Sequence, residues 1–204
     1  MHLFLELATL AAFLLLLGHA LFHRGGEGLW FFGALFYLGV VRENFVQLVR
    51  YLYDFAPLTL SLGIAPLIAA IIWGLSLYVA LDCAEILTGR TFWSHRLPSL
   101  SLLAAVGLFM VLLPGFYEPF LEAVGMAKWE EGTRRSFGVP WIALVGYPTL
   151  TLPFLVAWSW AARQPGSTRP SPPRRRLARL ALALTPLALL HAWGLQALKS
   201  VLGW

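Results

Sequence analysis

Long apolar stretches alternate with short polar ones along the whole chain. Six stretches approach the roughly 20 residues a helix needs to cross a hydrocarbon core. They run at about 3–22, 29–53, 57–81, 97–116, 139–162 and 177–202. Pro66 in the third, and Pro148 and Pro153 in the fifth, predict kinks, which membrane helices tolerate. The first stretch carries Glu6 and lacks a small-residue cleavage site, so it reads as a span and not as a leader. Between the spans lie a tight turn at 23–28, a polar loop at 82–96 and a long connection at 117–138 with four Glu, one Lys and two Arg. The pattern predicts an all-α, polytopic membrane bundle of about six helices. An amphipathic segment, re-entrant or interfacial, joins helices four and five. Residues 1–204 form a single membrane domain, with 163–176 a flexible basic Pro/Arg loop. No repeat of fixed period is visible.

Composition supports the lipid reading. Of 204 residues, 59% are hydrophobic and 12% charged, against about 45–50% and 25% in soluble domains. Mean hydropathy is +0.72. These values exclude a disordered chain, a coiled coil and an ordinary soluble enzyme. The single cysteine, Cys83, excludes an internal disulfide and a cysteine-built metal site. The net charge of +5 is a topology signal and not a nucleic-acid footprint. Nine of fifteen basic residues follow spans one, three and five: Arg24; Arg90 and Arg96; Arg163, Arg169, Arg174, Arg175, Arg176 and Arg179. Those loops are expected to be cytoplasmic, in a multi-pass protein of the inner (plasma) membrane.

Ionisable groups at membrane depth cost about 2.5–3.5 kcal/mol each on the insertion scale and ask for a partner, a cavity or a function. Glu43, Gln47, Arg50 and Asp54 fall at i, i+4, i+7 and i+11, so they share one helical face. Arg50 and Asp54 then neutralise each other. Arg42 adjoins Glu43 but points to another face, so it is expected to find its partner on another helix. A buried carboxyl without a cation holds its proton, as protonation of an alkene requires; the alternative is a polar cluster that fixes packing. Asp82 and Glu85 close span three one turn after Tyr78. Glu118 precedes Pro119, which could open a helix with Glu118 near its N-cap. His19 and His23 are only a two-ligand fragment, and His19 with His191 is a weak haem pair. Asp-rich diphosphate motifs, phosphate loops, nucleophile elbows and HExxH are absent. No metal or cofactor is expected.

Two segments carry a resemblance. FYLGVVRENFVQLVRYLYDFAPLTLSLGIAPLIAAIIW (36–73) and YEPFLEAVGMAKWEEGTRRSFGVPWIALVGY (117–147) together resemble the membrane carotenoid biosynthesis proteins typified by carotenoid 1,2-hydratases. Glu43 looks like that family's intramembrane acid, and Pro66 and Trp73 like its Pro…Trp helix. Glu118-Pro119 stands where the family has Asp-Pro, and Trp129 matches an aromatic of its amphipathic stretch. Gly138-Val139-Pro140 looks like its Gly-Val-Pro, and Gly146-Tyr147 stands at its Gly-Trp. Pro114 stands where the family commonly has a further Asp. Ala143, Leu144 and Val145 stand where it often has Asn. The resemblance implies a hydro-lyase that adds water, without a cofactor, to the terminal C=C bond of an acyclic carotenoid or related isoprenoid. Glu43 or Glu118 is the expected acid; the other, or Asp54 or Asp82, orients water. Tyr51, Tyr53, Trp73, Tyr117, Trp129 and Tyr147 are candidate cavity aromatics. The expected partners are a long apolar isoprenoid and membrane lipids. The alternatives are a non-catalytic carotenoid- or lipid-binding or assembly protein, and a small transporter.

Overall fold

A computed structural model describes residues 2–48, 53–55, 60–93, 97–130, 132–162 and 171–202. Six helices make up nearly all of it: α1 (His2–Arg24), α2 (Gly26–Leu48), α3 (Leu67–Thr88), α4 (Leu100–Ala123), α5 (Trp141–Ala162) and α6 (Pro173–Leu202). All six are long and apolar enough to cross a membrane, so the chain is a multi-pass membrane protein. α2, α3, α4, α5 and α6 pack in a ring in that order, α6 closing it against α2. α1 lies outside, against α2 and α3. Lipid supplies no hydrophobic force between helices, so close contact depends on small side chains. Gly39 of α2 shows this: a Cβ there would lie 2.8 Å from the Cα of Ala70 on α3.

The helix ends depart from the predicted spans where Pro and Gly intervene. Pro66 does not kink span three. It is the N-cap of α3, extended at φ −63°, ψ 141°, because a short hairpin delivers the chain there. α3 then continues to Thr88, and Gly89 caps it in the left-handed region (φ 61°). Asp82 and Glu85 are therefore inside the helix and not in a loop. α4 starts when Ser99 accepts a hydrogen bond from the Leu102 amide (3.3 Å). It absorbs Pro114 and Pro119 and ends at Ala123. Glu118 thus lies near the C-terminal end of a helix, not at an N-cap. Pro173 opens α6, drawing Arg174–Arg176 into its first turn. Residues 163–170 of the expected basic loop lie outside the described residues.

Three short strand pairs cap one end of the bundle. β1 (Tyr53–Phe55) pairs antiparallel with β4 (Ala127–Trp129) in the register Tyr53↔Trp129, Asp54↔Lys128, Phe55↔Ala127. β2 (Ser61–Leu62) and β3 (Ala65–Pro66) form one hairpin; β5 (Arg135–Ser136) and β6 (Val139–Pro140) form another. Both turns have two central residues of the primed kind that suits a hairpin's twist. Gly63 has φ 77° in the first; Phe137 and Gly138 have φ 53° and 80° in the second.

These parts occur twice. Helix, strand, hairpin, proline and helix follow one another in α2–β1–β2–β3–α3 and again in α4–β4–β5–β6–α5. The amide after each proline closes the same bond, Leu67 to the Leu60 carbonyl (2.9 Å) and Trp141 to the Arg134 carbonyl (3.0 Å). As spans two and four, α2 and α4 cross in the same sense, so the units are parallel and not inverted. The antiparallel β1–β4 pair is what a two-fold axis along the membrane normal produces between them. The duplication that the sequence pattern did not display is thus present in the structure.

Candidate functional site

The site lies beneath the β1–β4 pair. Glu43 and Glu118 each stand five residues before the last described residue of their helices. Both are buried, at 1% and 6% exposure. Each carboxyl group is held by one tyrosine and one tryptophan. The Tyr53 hydroxyl donates to Glu43 Oε2 (2.5 Å) and the Trp73 indole N–H to Glu43 Oε1 (2.6 Å). The Trp129 N–H donates to Glu118 Oε2 (2.9 Å) and the Tyr147 hydroxyl to Glu118 Oε1 (2.7 Å). In each unit one donor comes from the strand and one from the second helix. The strand donor follows its acid by 10 and 11 residues, the helix donor by 30 and 29. Tyr and Trp have exchanged places between the units. Burial pushes the Tyr53 hydroxyl well above the usual phenol range, so it remains a donor to Glu43.

The rings form continuous walls. Trp73 stacks on Tyr147 with centroids 4.7 Å apart, and Tyr53 lies 4.8 Å from Trp129. Tyr117 packs edge-on against Tyr147 at 5.6 Å, and its hydroxyl is buried without a hydrogen bond among the described residues. A chamber of about 30 Å³ separates the acids, lined by both of them and by Tyr53, Trp73, Trp129 and Tyr147. That volume holds one or two waters, and it is far too small for a polyene. Phe55 and Ala127 line both this chamber and a wider outer cavity of about 470 Å³, which Asp54, Glu122 and Lys128 also line.

The two acids differ in one neighbour. Arg42, 4% exposed, donates from Nη1 to Glu43 Oε1 (2.5 Å) and to the Tyr53 hydroxyl. Its guanidinium lies 5.2 Å from the Trp73 ring and 5.7 Å from the Tyr53 ring. Its partner is therefore its own neighbour in sequence, not another helix. Adjacent helical side chains diverge at Cβ, but an arginine stem is long enough to curl back. The residue preceding Glu118 in the second unit is Tyr117, so Glu118 has phenol and indole donors where Glu43 also has a cation.

Not every expected residue is here. Strand alternation points Tyr53 inward and leaves Asp54 exposed opposite Lys128. α2 is described only to Leu48, and Asp54 belongs to a strand, so it does not share the helical face of Glu43. Asp82 sits at the other end of the bundle, where Arg24 reaches Asp82 (3.4 Å) and Glu85 (2.6 Å) and His19 meets Tyr78 (2.9 Å). Depth and helix sense separate it from the chamber. Tyr51 and Arg50 lie outside the described residues. His191 bonds the Gly146 carbonyl (2.9 Å) at the chamber end, remote from His19. Sequence reasoning missed Arg42 as a site residue; the Arg-Glu dipeptide at depth was the signal for it. Against known proteins, no family model, no curated protein and no solved structure matches the chain.

Proposed function

We propose that this protein is an intramembrane hydratase of an acyclic carotenoid or related isoprenoid. One observation carries the reading: two buried carboxyls face one water-sized chamber walled by Tyr and Trp, and only one of them has a cation. Glu43, beside Arg42, is the carboxylate. Glu118, held by neutral donors in an apolar wall, is the acid. A carboxyl without a cation in such surroundings is suited to carry a proton. Glu118 gives that proton to the less substituted carbon of the terminal double bond. The tertiary cation left behind faces the rings of Trp129, Tyr147 and Trp73, whose π faces stabilise positive charge. Chamber water bonds to the cationic carbon. Its spare proton passes to Glu43 and returns through the chamber to Glu118, so alkene plus water gives a tertiary alcohol with both acids restored. The end group enters from the outer cavity, past Ala127 and with a turn of the Phe55 ring. The charge of the basic loops supports an orientation with this end of the bundle away from the cytoplasm.

The test is turnover of an acyclic carotenoid in detergent–lipid micelles made with heavy-oxygen water, with product read by chromatography and mass. The wild-type protein yields an alcohol carrying the heavy oxygen, and Glu118→Gln loses at least about 100-fold, the usual scale for a general acid. Undiminished turnover in Glu118→Gln refutes the assignment. The small chamber and the Arg42–Glu43 clasp favour a second reading, a non-catalytic isoprenoid-binding protein. Pigment retained without product would establish that reading.

A further inference from the structure

A second cavity, distant from the two acids, opens between α2 and α6. Its volume is about 350 Å³, and it is lined by apolar and small residues, among them Trp30, Gly33, Ala34, Leu177, Ala181 and Leu184. Its floor is open: a Cβ built on Gly33 meets nothing within 4 Å. It runs along about eight residues of each helix, or roughly 12 Å at 1.5 Å per residue. Toward one end the Tyr37 and Thr185 hydroxyls bond across the two helices (2.7 Å). The other end is basic. Arg176 is spent there, clamped by Glu27 in two hydrogen bonds (2.7 and 2.6 Å) and seated 4.2 Å from the Trp158 ring. Arg174 and Arg175 are exposed on the same first turn of α6, and neither has an ion pair among the described residues. Arg174 precedes Leu177 by three residues and Ala181 by seven, so it heads the helical face that lines the groove.

We infer that this groove binds an anionic phospholipid, with one acyl chain along α2 and α6 and the phosphate at Arg174. The occupant follows from the surroundings. The groove is an apolar slot in a membrane-spanning surface, and its one charged end is positive. A free anion would not need the slot, and a zwitterionic lipid, whose phosphate is offset by its own ammonium group, gains less from the arginine than a net anionic one.

The test uses the full chain in detergent, mixed with phosphatidylglycerol or phosphatidylcholine of the same acyl chains, with retained lipid counted by native mass spectrometry. One phosphatidylglycerol is retained in preference to phosphatidylcholine. Arg174→Gln, at an exposed position, lowers that preference about fivefold, the effect of one basic residue at an anionic surface. Gly33→Phe fills the slot and abolishes retention while the melting temperature is held. Equal retention of both lipids, an unchanged preference in Arg174→Gln, or retention surviving Gly33→Phe would each overturn the assignment, as would pigment in place of phospholipid.

Discussion

Arg42→Met is the sharpest probe of how the chamber is held together. Methionine keeps much of the stem volume and removes the guanidinium. Glu43 would then stand 1% exposed with two neutral donors and no cation. Removing one partner of a buried ion pair costs up to about 3–5 kcal/mol, and Glu43, left without a cation, relieves part of that cost by taking up a proton. The Tyr53 and Trp73 bonds persist, which places the expectation in the lower half of that range. For a chain of this size about 2–4 °C is lost per kcal/mol, so the melting temperature should fall by roughly 6–16 °C. The assay is thermal unfolding of the purified protein in detergent, followed by tryptophan fluorescence. The control is a double-mutant cycle with Glu43→Gln. Each single variant leaves a buried ionisable group without its partner and the double variant leaves none, so the double should be more stable than the sum of the singles implies, by at least about 1 kcal/mol. A fall below 2 °C in Arg42→Met, or simple additivity in the cycle, would show that the two residues are not a buried pair.

Other substitutions test the remaining geometry. Asp54→Asn and Asp82→Asn should leave product formation within about twofold, since one faces outward and the other lies at the far end of the bundle; a large loss in either would undo the placement of the site. Trp73→Phe keeps one aromatic ring, removes the N–H donated to Glu43, a bond to a charged group worth about 1.5–3 kcal/mol, and empties the space of the second ring, so the melting temperature falls by at least the share of that bond. Gly63→Val should be worse tolerated than Gly33→Val. The first position has φ 77° and leaves only 2.2 Å between an added Cβ and Asn44 Oδ1, whereas the second is open. The yields of folded protein from parallel purifications compare them.

The six spans were legible because apolar length and composition are dictated by the bilayer itself, whatever the helices later pack against. The ends were not. Pro66 looked like a kink within a span because hairpins with strands of two residues have no alternation to read. The site was partly legible. Glu43 and Glu118 were costly where they stood, and Tyr53, Trp73, Trp129 and Tyr147 are the side chains that meet them. Asp54 has the helical spacing of Glu43 but belongs to a strand, and nothing in that spacing reveals where the helix gives way. Arg42 meets Glu43 because an arginine stem can curl back, which direction at Cβ does not reveal. The repeat stayed hidden for a chemical reason. Its units agree in the roles of a few positions and not in identity, with Tyr standing for Trp, Trp for Tyr, and small shifts in spacing between them.

That duplication explains how a bundle of this size can aim two acids at one point. Each unit alone presents a carboxyl one to two turns below a helix end, with a strand donor and a helix donor to hold it. Pairing β1 with β4 sets Tyr53 opposite Trp129 in register. A two-fold axis near that pair carries the acid of one unit to face the acid of the other. Two identical halves would make the carboxyls equivalent, and equivalent buried acids share charge poorly. The difference arises next to the acids, where one unit has Arg42 and the other Tyr117. A cation on one side and a phenol on the other gives each carboxyl its own electrostatic surroundings while the scaffold stays symmetric. Exchanging these two residues, Arg42→Tyr with Tyr117→Arg, should therefore move the ion pair from Glu43 to Glu118. In that background Glu43→Gln would become the variant that stops product formation. If Glu118→Gln remained the inactivating change, the roles of the acids would be set by something other than their immediate neighbours.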